Sequence, residues 1–358
     1  MTVTADVAIV GAGMAGASLA AEIAPHASVL LIEAEDHPGY HSTGRSAAFW
    51  SESYGGRRVQ PLTSLSGAYL ADRGFLRRRG ALHIADADGE AALAALEREF
   101  AGTPVTLERV DDVGTRVPGL RRGWSQALWE PSCADIDVAG LHAFYLAEAK
   151  RAGAKLVTGH RIARAERRAG VWRIGDYLEA AILVDAAGAW ADEVAAAAGV
   201  APLRIRPFRR TIAQLRVSPP VPADLPLVID AAGRFYFKPE AGGRLWLSPH
   251  DETACAPCDC AAEEMDVAVA IDRLEKAVDW TVERVERSWA GLRTFAPDRL
   301  PVYGFDPAAE SFFWFAGQGG FGIQTAPAAA RLGAALLLGQ AAEAGLDPAH
   351  YTPARFRN

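Results

Sequence analysis

The strongest constraint on the fold is a glycine pattern near the N-terminus. Asp6-Val-Ala-Ile-Val-Gly11 is a short apolar run of the kind that forms a buried parallel strand. Gly11-Ala12-Gly13-Met14-Ala15-Gly16 follows at once, and Leu19, Ala20 and Ile23 then recur at helical spacing. Ser28-Val-Leu-Leu-Ile-Glu33 is a second apolar run, ending in an acid. The spacing predicts a strand, a helix over 14–25 and a second strand: one β-α-β unit built to hold a dinucleotide. Each glycine has its own task there. Gly11 makes the tight turn, Gly13 lets a pyrophosphate approach the backbone, and Gly16 lets helix and strand close up. The helix N-terminus offers unpaired N–H groups and the positive end of its dipole. Glu33 suits a ribose diol and repels a 2′-phosphate. Glycine makes up 34 of 358 residues, so the context of the motif carries the reading rather than its spacing alone. The pattern does not by itself separate FAD from NAD.

Expected strands at 155–158, 180–186 and 312–316 continue the α/β pattern, as does an amphipathic helix over 138–152 capped by Asp137. A long Ala/Leu helix is expected from Thr325 to about Gly339, with Pro327 tolerated in its first turn. Two segments read differently. Ala81–Ala85, Thr211–Val217, Arg234–Lys238 and Arg244–Ser248 alternate like an antiparallel sheet covered on one face. The fold class expected is α/β, α+β overall. A Rossmann-type domain of residues 1–75, 136–205 and 288–358 is interleaved with an antiparallel-sheet substrate domain of residues 76–135 and 206–287.

Charge narrows the partners. A net charge of -7 argues against nucleic acid, which basic proteins bind. Among the 37 basic residues, Lys150, Lys155, Lys238 and Lys276 are the lysines, so single arginines carry little weight as clues. No apolar stretch is long enough for an integral membrane segment, and the N-terminus lacks a signal-peptide pattern. Four cysteines make no disulfide framework for a chain this long. A cytoplasmic location is expected, with peripheral attachment to the inner membrane left open.

Three further blocks carry chemistry. His41-Ser42-Thr43-Gly44-Arg45-Ser46-Ala47-Ala48 packs hydroxyls, a guanidinium and small residues behind the second strand. Small residues admit a flat ring, while hydroxyls and arginine suit phosphate or ring heteroatoms. Leu183-Val-Asp-Ala-Ala187-Gly188-Ala-Trp190 offers a second backbone approach, with Trp190 as a wall. Gly317-Gln-Gly319-Gly320-Phe-Gly322-Ile323-Gln324-Thr325 sets backbone N–H groups at the head of the last helix, facing negative charge.

These blocks, with Trp289-Ala290-Gly291-Leu292-Arg293, occur in an order that resembles the D-amino-acid oxidase/dehydrogenase family of FAD amine oxidoreductases, nearest within it to D-arginine dehydrogenase-like members. The resemblance covers nearly the whole chain. It implies FAD as cofactor, and a reaction that oxidises a Cα–N bond to an imine, which water hydrolyses to a 2-oxo acid. It implies a small-molecule amino-acid substrate, with oxygen or a quinone as electron acceptor. Cofactor contacts fall to Gly11, Gly13, Ala15, Gly16, Glu33, Ala34, His41–Thr43, Arg45–Ala48, Ile162, Ala187, Gly188, Trp190, Gly291, Arg293, Gly319, Gly320, Gly322, Ile323, Gln324 and Thr325. The family's flavin thioether needs a cysteine near the Gly291 block, and none stands there, so non-covalent FAD is expected. Arg210 and Arg293 match the positions that hold the substrate carboxylate, a task suited to arginine's planar fork. Tyr236 matches a tyrosine whose hydroxyl reaches the same carboxylate, and Tyr54 one of the active-site lid or wall. Gly320 and Gln324 match positions near the flavin and the substrate amine.

The departures point to the substrate. Phe49 stands where the arginine-specific relatives have a histidine. Ala81 stands where they have a carboxylate, with His83 two residues on. A guanidinium brought into such a pocket would lack a partner, which is costly. A neutral or apolar side chain is expected instead. Glycine, sarcosine or another secondary amine remains an alternative, as does a 2-hydroxy acid, which needs the same carboxylate clamp. A subunit that binds FAD and relies on a partner for electron transfer is the alternative of another class.

Weaker signals resolve toward structure. Cys255, Cys258 and Cys260 follow His250 in a polar loop; zinc or a disulfide is conceivable there, and a plain loop is expected, with no metal site. Cys133 reads as structural. Asp137 reads as a helix cap rather than half of a catalytic pair with Asp135.

Overall fold

The computed structural model of the chain describes residues 2–357. The opening β-α-β unit forms as the glycine pattern requires. The strand Val3–Val10 pairs in parallel with Val29–Ile32, and the helix Met14–Ile23 lies between them in sequence. Parallel pairing extends the sheet to Lys155–Val157 on one side, and to Leu178–Asp185 and then Phe312–Ala316 on the other. Val302–Phe305 closes that side antiparallel, and the hairpin Ala165–Arg168/Val171–Ile174 joins the start of Leu178–Asp185.

Both faces of this sheet are covered, so its strands read as continuous apolar runs. The helices Met14–Ile23, Val138–Arg151 and Ala326–Leu337 pack together, the first and last of them in one apolar cluster with Ile9, Phe313 and Phe315. The close fit of the last helix rests on Gly333, where a Cβ would stand 2.7 Å from the Phe315 ring. Trp172, Phe312 and Trp314, with Ala191–Ala197, fill the other side. Asp137 accepts from the Gly140 amide and so caps its helix as expected.

The second sheet is antiparallel apart from one parallel pair, Leu227–Asp230 with Ala81–Ala85. Its spine is two long strands, Arg206–Ser218 and Thr281–Phe295, paired along their whole length. Period-two alternation sorts their side chains. Ala213, Leu215 and Val217 turn toward Leu245, Leu247, Phe237 and the helix Glu264–Ala277. Arg210 and Ile212 turn the other way, toward the first sheet. The boundary expected at residue 288 needs correction. It falls inside Thr281–Phe295, which belongs whole to the antiparallel sheet. One strand thereby carries both Gly291 and Arg293 as part of the antiparallel sheet. No described helix is long and apolar enough to cross a membrane.

Candidate active site

One cleft, open to solvent, runs from the first glycine turn to the ends of the long strands that carry Arg210 and Arg293. At the glycine-turn end the backbone leaves no choice of residue. Gly11 has φ +98°, and a Cβ there would stand 2.5 Å from the Ala186 carbonyl oxygen. A Cβ on Gly16 would stand 1.8 Å from the Gly11 carbonyl. Gly16 does not line the cleft; it brings helix and strand together. Gly13 heads the helix and has no side chain of its own to cap it; Thr43 Oγ1 takes the Met14 amide. That leaves the Ala15 amide that follows, and the helix dipole, for a ligand phosphate.

The acid at the end of the second strand is held ready. Glu33 accepts from the Ala12 amide (2.9 Å) and the Glu35 amide (3.0 Å), one on each oxygen, and still faces the cleft. Sequence reasoning overlooked His142, whose Nε2 donates to the Ala12 carbonyl (2.8 Å). Burial lowers its pKa, so the ring acts as a neutral prop behind the turn. Its signal was absent from the motif, since the contact spans 130 residues.

The polar loop, expected to suit phosphate or ring heteroatoms, also makes contacts within the chain. Ser42 donates to the Leu292 carbonyl (2.7 Å), and Thr43 Oγ1 accepts from the Met14 amide (2.9 Å). Arg45 donates to the Cys260 carbonyl (2.9 Å) and pairs with Asp259. The loop therefore staples the nucleotide unit to the long strand and to the Cys255–Cys260 loop, through the Ser42 hydroxyl and the two terminal nitrogens of Arg45. Ser42, Thr43 and Arg45 still line the cleft, as do Ser46, Ala47 and Ala48. His41 bonds Glu35 (2.9 Å) and packs on Trp190, the wall anticipated from sequence. Ala15, Ala34, Ile162, Ala187 and Gly188 also line it.

Asp185 supports this wall from behind. It is wholly buried; Oδ1 accepts from the Ala187 amide (3.1 Å) and Oδ2 has no partner. Burial pushes its pKa well above the carboxylate range. A raised folded pKa means that stability falls as pH rises above the unfolded value of about 3.9. Asp185→Asn keeps the amide acceptor and removes that loss. Its Tm should match the parent near pH 4 and exceed it by about 1–3 °C at pH 7, measured by thermal unfolding across pH.

The far end gathers the residues expected to meet the substrate. Arg210, Arg293, Tyr54, Tyr236, Phe49, Gly319, Gly320, Gly322, Ile323 and Gln324 all line the cleft, with Gly291 beside them. Thr325 does not; its hydroxyl donates to the Phe321 carbonyl (2.8 Å) within the turn. Arg210 is 5% exposed, donates through Nε to the Asp251 carbonyl (2.6 Å), and leaves Nη1 buried without a partner. Burial, and then the charge of Arg293, lower its pKa. The Arg293 side chain has no ion pair or hydrogen bond to any described residue; its guanidinium lies over the Tyr54 ring at 5.7 Å. A Cβ on Gly320 would stand 2.3 Å from the Tyr54 hydroxyl and 2.9 Å from Cζ of Arg293, so glycine makes room for both. Phe49 packs on Tyr54 and Tyr236, and the wall continues through Ala47 and Ile212; Ala81, expected to face the substrate, is buried behind this wall and does not line the cleft.

Two residues here depart from expectation or escaped it. Gln324 lines the cleft, but its amide is committed elsewhere. It accepts from the Ser51 amide (3.2 Å) and donates to the Tyr54 carbonyl (3.1 Å) and Thr63 (2.9 Å). In sequence His250 stands out only as a neighbour of the Cys255–Cys260 cluster. It packs edge-on against Tyr236, and burial followed by Arg210 and Arg293 pushes its pKa down to about 3. It is thus a neutral ring beside the two arginines. Cys255, Cys258 and Cys260 are free thiols, and Cys133 is buried. Asp135 pairs with Arg79 (2.6 Å) and Lys238 (3.0 Å), which accounts for it structurally.

The donor set suits a dinucleotide: a glycine-bounded helix end for the pyrophosphate, an acid for a ribose, and a cleft continuing to a second glycine turn at the head of the last helix. Comparisons with known proteins agree. The family described as "DAO: FAD dependent oxidoreductase" matches residues 6–336. Glycine oxidase of Pseudomonas putida is 26% identical over 371 residues, covering 97% of this chain and 98% of that one. FAD-dependent oxidoreductase domain-containing protein 1 of Xenopus laevis is 26% identical over 177 residues, 45% of this chain and 35% of that protein's length. The fold is shared with glycine oxidase from Geobacillus kaustophilus (TM-score 0.84, 23% identity, 98% of each chain). It is also shared with L-proline dehydrogenase from P. horikoshii (TM-score 0.85, 21% identity, 100% and 99% of the two chains). The nearer kinship expected with D-arginine dehydrogenase-like members is not carried by these relatives. Matched over nearly its whole length and folded around a cleft for the dinucleotide, the chain belongs to the DAO family of FAD-dependent oxidoreductases.

Proposed function

We propose that this chain oxidises the Cα–N bond of a free amino acid of D configuration with a neutral or apolar side chain, giving an imino acid that water converts to a 2-oxo acid and ammonia. One observation carries the reading. Two arginines face one cleft, one with a buried donor unpartnered and the other with no counter-ion among the described residues. Such a site calls for an anion that accepts from the free fork of Arg293 and from the one remaining donor of Arg210, as a carboxylate does.

The remaining residues follow from that anchor. Tyr54 and Tyr236 line the same end, and their hydroxyls suit the carboxylate's remaining lone pairs. Held there, the substrate presents its Cα–H in a fixed direction, so orientation supplies much of the rate. FAD, when bound, supplies the two-electron acceptor for the hydride that leaves Cα. The substrate nitrogen must be neutral to form the C=N bond, and two arginines disfavour a cationic amine nearby. No cysteine lines the cleft, which supports non-covalent FAD. The D configuration rests on the family likeness of the motif blocks.

Phe49, Ala47, Ile212 and Tyr236 give the side-chain end an apolar wall. Glu130 lies directly across the sheet from Ala81, so a carboxylate is close by. Five donors already saturate it, and it is 0% exposed, which leaves nothing for a substrate cation. A second reading, oxidation of glycine or sarcosine, is favoured by the full-length likeness to a glycine oxidase.

The test is anaerobic mixing of the flavin-loaded protein with D- and L-amino acids, glycine, sarcosine and 2-hydroxy acids, following bleaching of the visible flavin band. Apolar D-amino acids should bleach it fastest, with D-arginine slower than D-leucine or D-phenylalanine. Faster bleaching by glycine or sarcosine establishes the second reading instead. Bleaching by 2-hydroxy acids alone overturns both. Admitting air, or adding a quinone, then identifies the electron acceptor.

A further inference from the structure

The strand Gln126–Glu130 ends in a carboxylate that no solvent reaches. Glu130 Oε1 accepts from the Glu52 amide (2.7 Å) and the Ser53 amide (3.3 Å). Its Oε2 accepts from the hydroxyls of Ser53 (2.6 Å) and Ser51 (3.0 Å) and from His83 Nε2 (3.1 Å). Burial raises the pKa of such a group. The hydrogen bond and charge of His83, with the Ser53 bonds, outweigh it and hold the carboxyl below its ordinary value. The trio has the composition of a Ser-His-Glu catalytic set but not its wiring. Ser53 and Glu130 meet the same imidazole nitrogen, and the Ser53 hydroxyl donates to the carboxylate, so nothing activates it. Neither Glu130 nor His83 lines the cleft.

What this buried charge touches is informative. Apart from His83, all its donors come from Ser51, Glu52 and Ser53, the three residues before Tyr54. Gln324 grips the same turn from the opposite side, through the Ser51 amide and the Tyr54 carbonyl. Gly55 and Gly56, both at positive φ, end the turn. The Tyr54 side chain meets Arg293 at Gly320, within the substrate end of the cleft.

We propose that the Glu130–His83 pair is the positioning device of this wall: it clamps the Ser51–Ser53 turn so that Tyr54 stands against Arg293 in the carboxylate site. An ionised, fully satisfied carboxylate fixes a turn more tightly than neutral groups, because each of its hydrogen bonds is charge-assisted. The cost of burying it is offset only when all five donors are in place, so the turn has one favourable position. Glu130 is a positioning residue that acts through Tyr54. The ligand-binding arm of the test rests on the carboxylate reading proposed above; the structural arm does not.

The experiment compares flavin-loaded wild type and Glu130→Gln, which keeps the shape and loses the charge. Hydrogen–deuterium exchange across residues 51–56 should quicken at least about tenfold, with Val3–Val10 unchanged. The Kd for acetate, a carboxylate probe without an amine, should rise about tenfold when read by perturbation of the flavin spectrum. In a Tyr54→Phe background the same substitution should leave the acetate Kd unchanged within about twofold. Unchanged exchange overturns the anchor. An equal loss of acetate affinity with and without the Tyr54 hydroxyl overturns the claim that it acts through Tyr54. Wild type that binds no acetate sinks the carboxylate reading, and the exchange result then decides the anchor alone. If Glu130→Gln fails to fold, Ser53→Ala removes the shortest bond to the carboxylate and is expected to give the same pattern at smaller size.

Discussion

Arg293→Ala is expected to lower kcat/KM about 10³-fold, a loss of ~4 kcal/mol of transition-state binding. The figure follows from the geometry. Arg293 has no partner within the described chain, so its fork is wholly available to a ligand, and charge-assisted bidentate bonds are the strongest of their kind. Truncation also leaves the carboxylate facing Arg210 alone, whose Nε and Nη2 are already spent on Asp251 and Glu252. Most of the loss should appear in KM, with a smaller fall in kcat as the Cα–H loses its fixed direction. Arg293→Lys keeps the charge but not the fork, and should lose about 30- to 100-fold. Flavin content should stay near wild type, because the glycine turn and Glu33 lie at the other end of the cleft. Steady-state kinetics with the best substrate from the bleaching panel, normalised to bound flavin, checks this. A loss of less than about tenfold for the alanine variant would mean that the substrate carboxylate sits elsewhere.

The parts of this site legible in the sequence are those that backbone sterics dictate. Gly11 and Gly16 stand where any Cβ would strike a carbonyl, so their spacing is a direct record of how strand and helix meet. The two arginines were legible by resemblance, and the long strands explain why they converge: Arg210 pairs with Gly291, and Phe208 with Arg293, in neighbouring positions of one ladder. The polar connections were not legible. Ser42 and Arg45 read in sequence as ligands for phosphate or ring heteroatoms, and nothing local shows that they also bond to partners more than 200 residues away. Glu130 and His83 show no local pattern at all. They become a unit only because Ala81–Ala85 and Gln126–Glu130 pair in a register that puts Ala81 opposite Glu130. One omission was avoidable. Val267, Ala270, Leu274 and Ala277 recur at helical spacing, and that helix covers the outer face of the antiparallel sheet.

Gly11→Ala is expected to yield protein with little or no flavin, with the Kd for FAD raised at least about 100-fold. Two independent costs meet at this position. An alanine at φ +98° lies outside the regions that L residues adopt, which costs of order 1–3 kcal/mol. Its Cβ would also stand 2.5 Å from the Ala186 carbonyl oxygen and 3.1 Å from Cα of Ala187, both backbone atoms with no side chain to move aside. Relief requires the first turn to separate from the Asp185–Gly188 segment. Those two segments bound the cleft on either side of the expected pyrophosphate, so the site opens as the strain is released. Gly13→Ala is the informative contrast. Its φ is -72°, and its Cβ would meet only the Thr43 hydroxyl oxygen, at 3.2 Å. The fold should accept that methyl group, so any loss of flavin there reports the space a phosphate needs rather than damage to the turn. Flavin titration of the two apoproteins, with far-UV circular dichroism as the control for folding, separates these effects. Full flavin content in Gly11→Ala would show that the turn does not form one wall of the cofactor site, and the assignment of this end of the cleft to the pyrophosphate would fall with it.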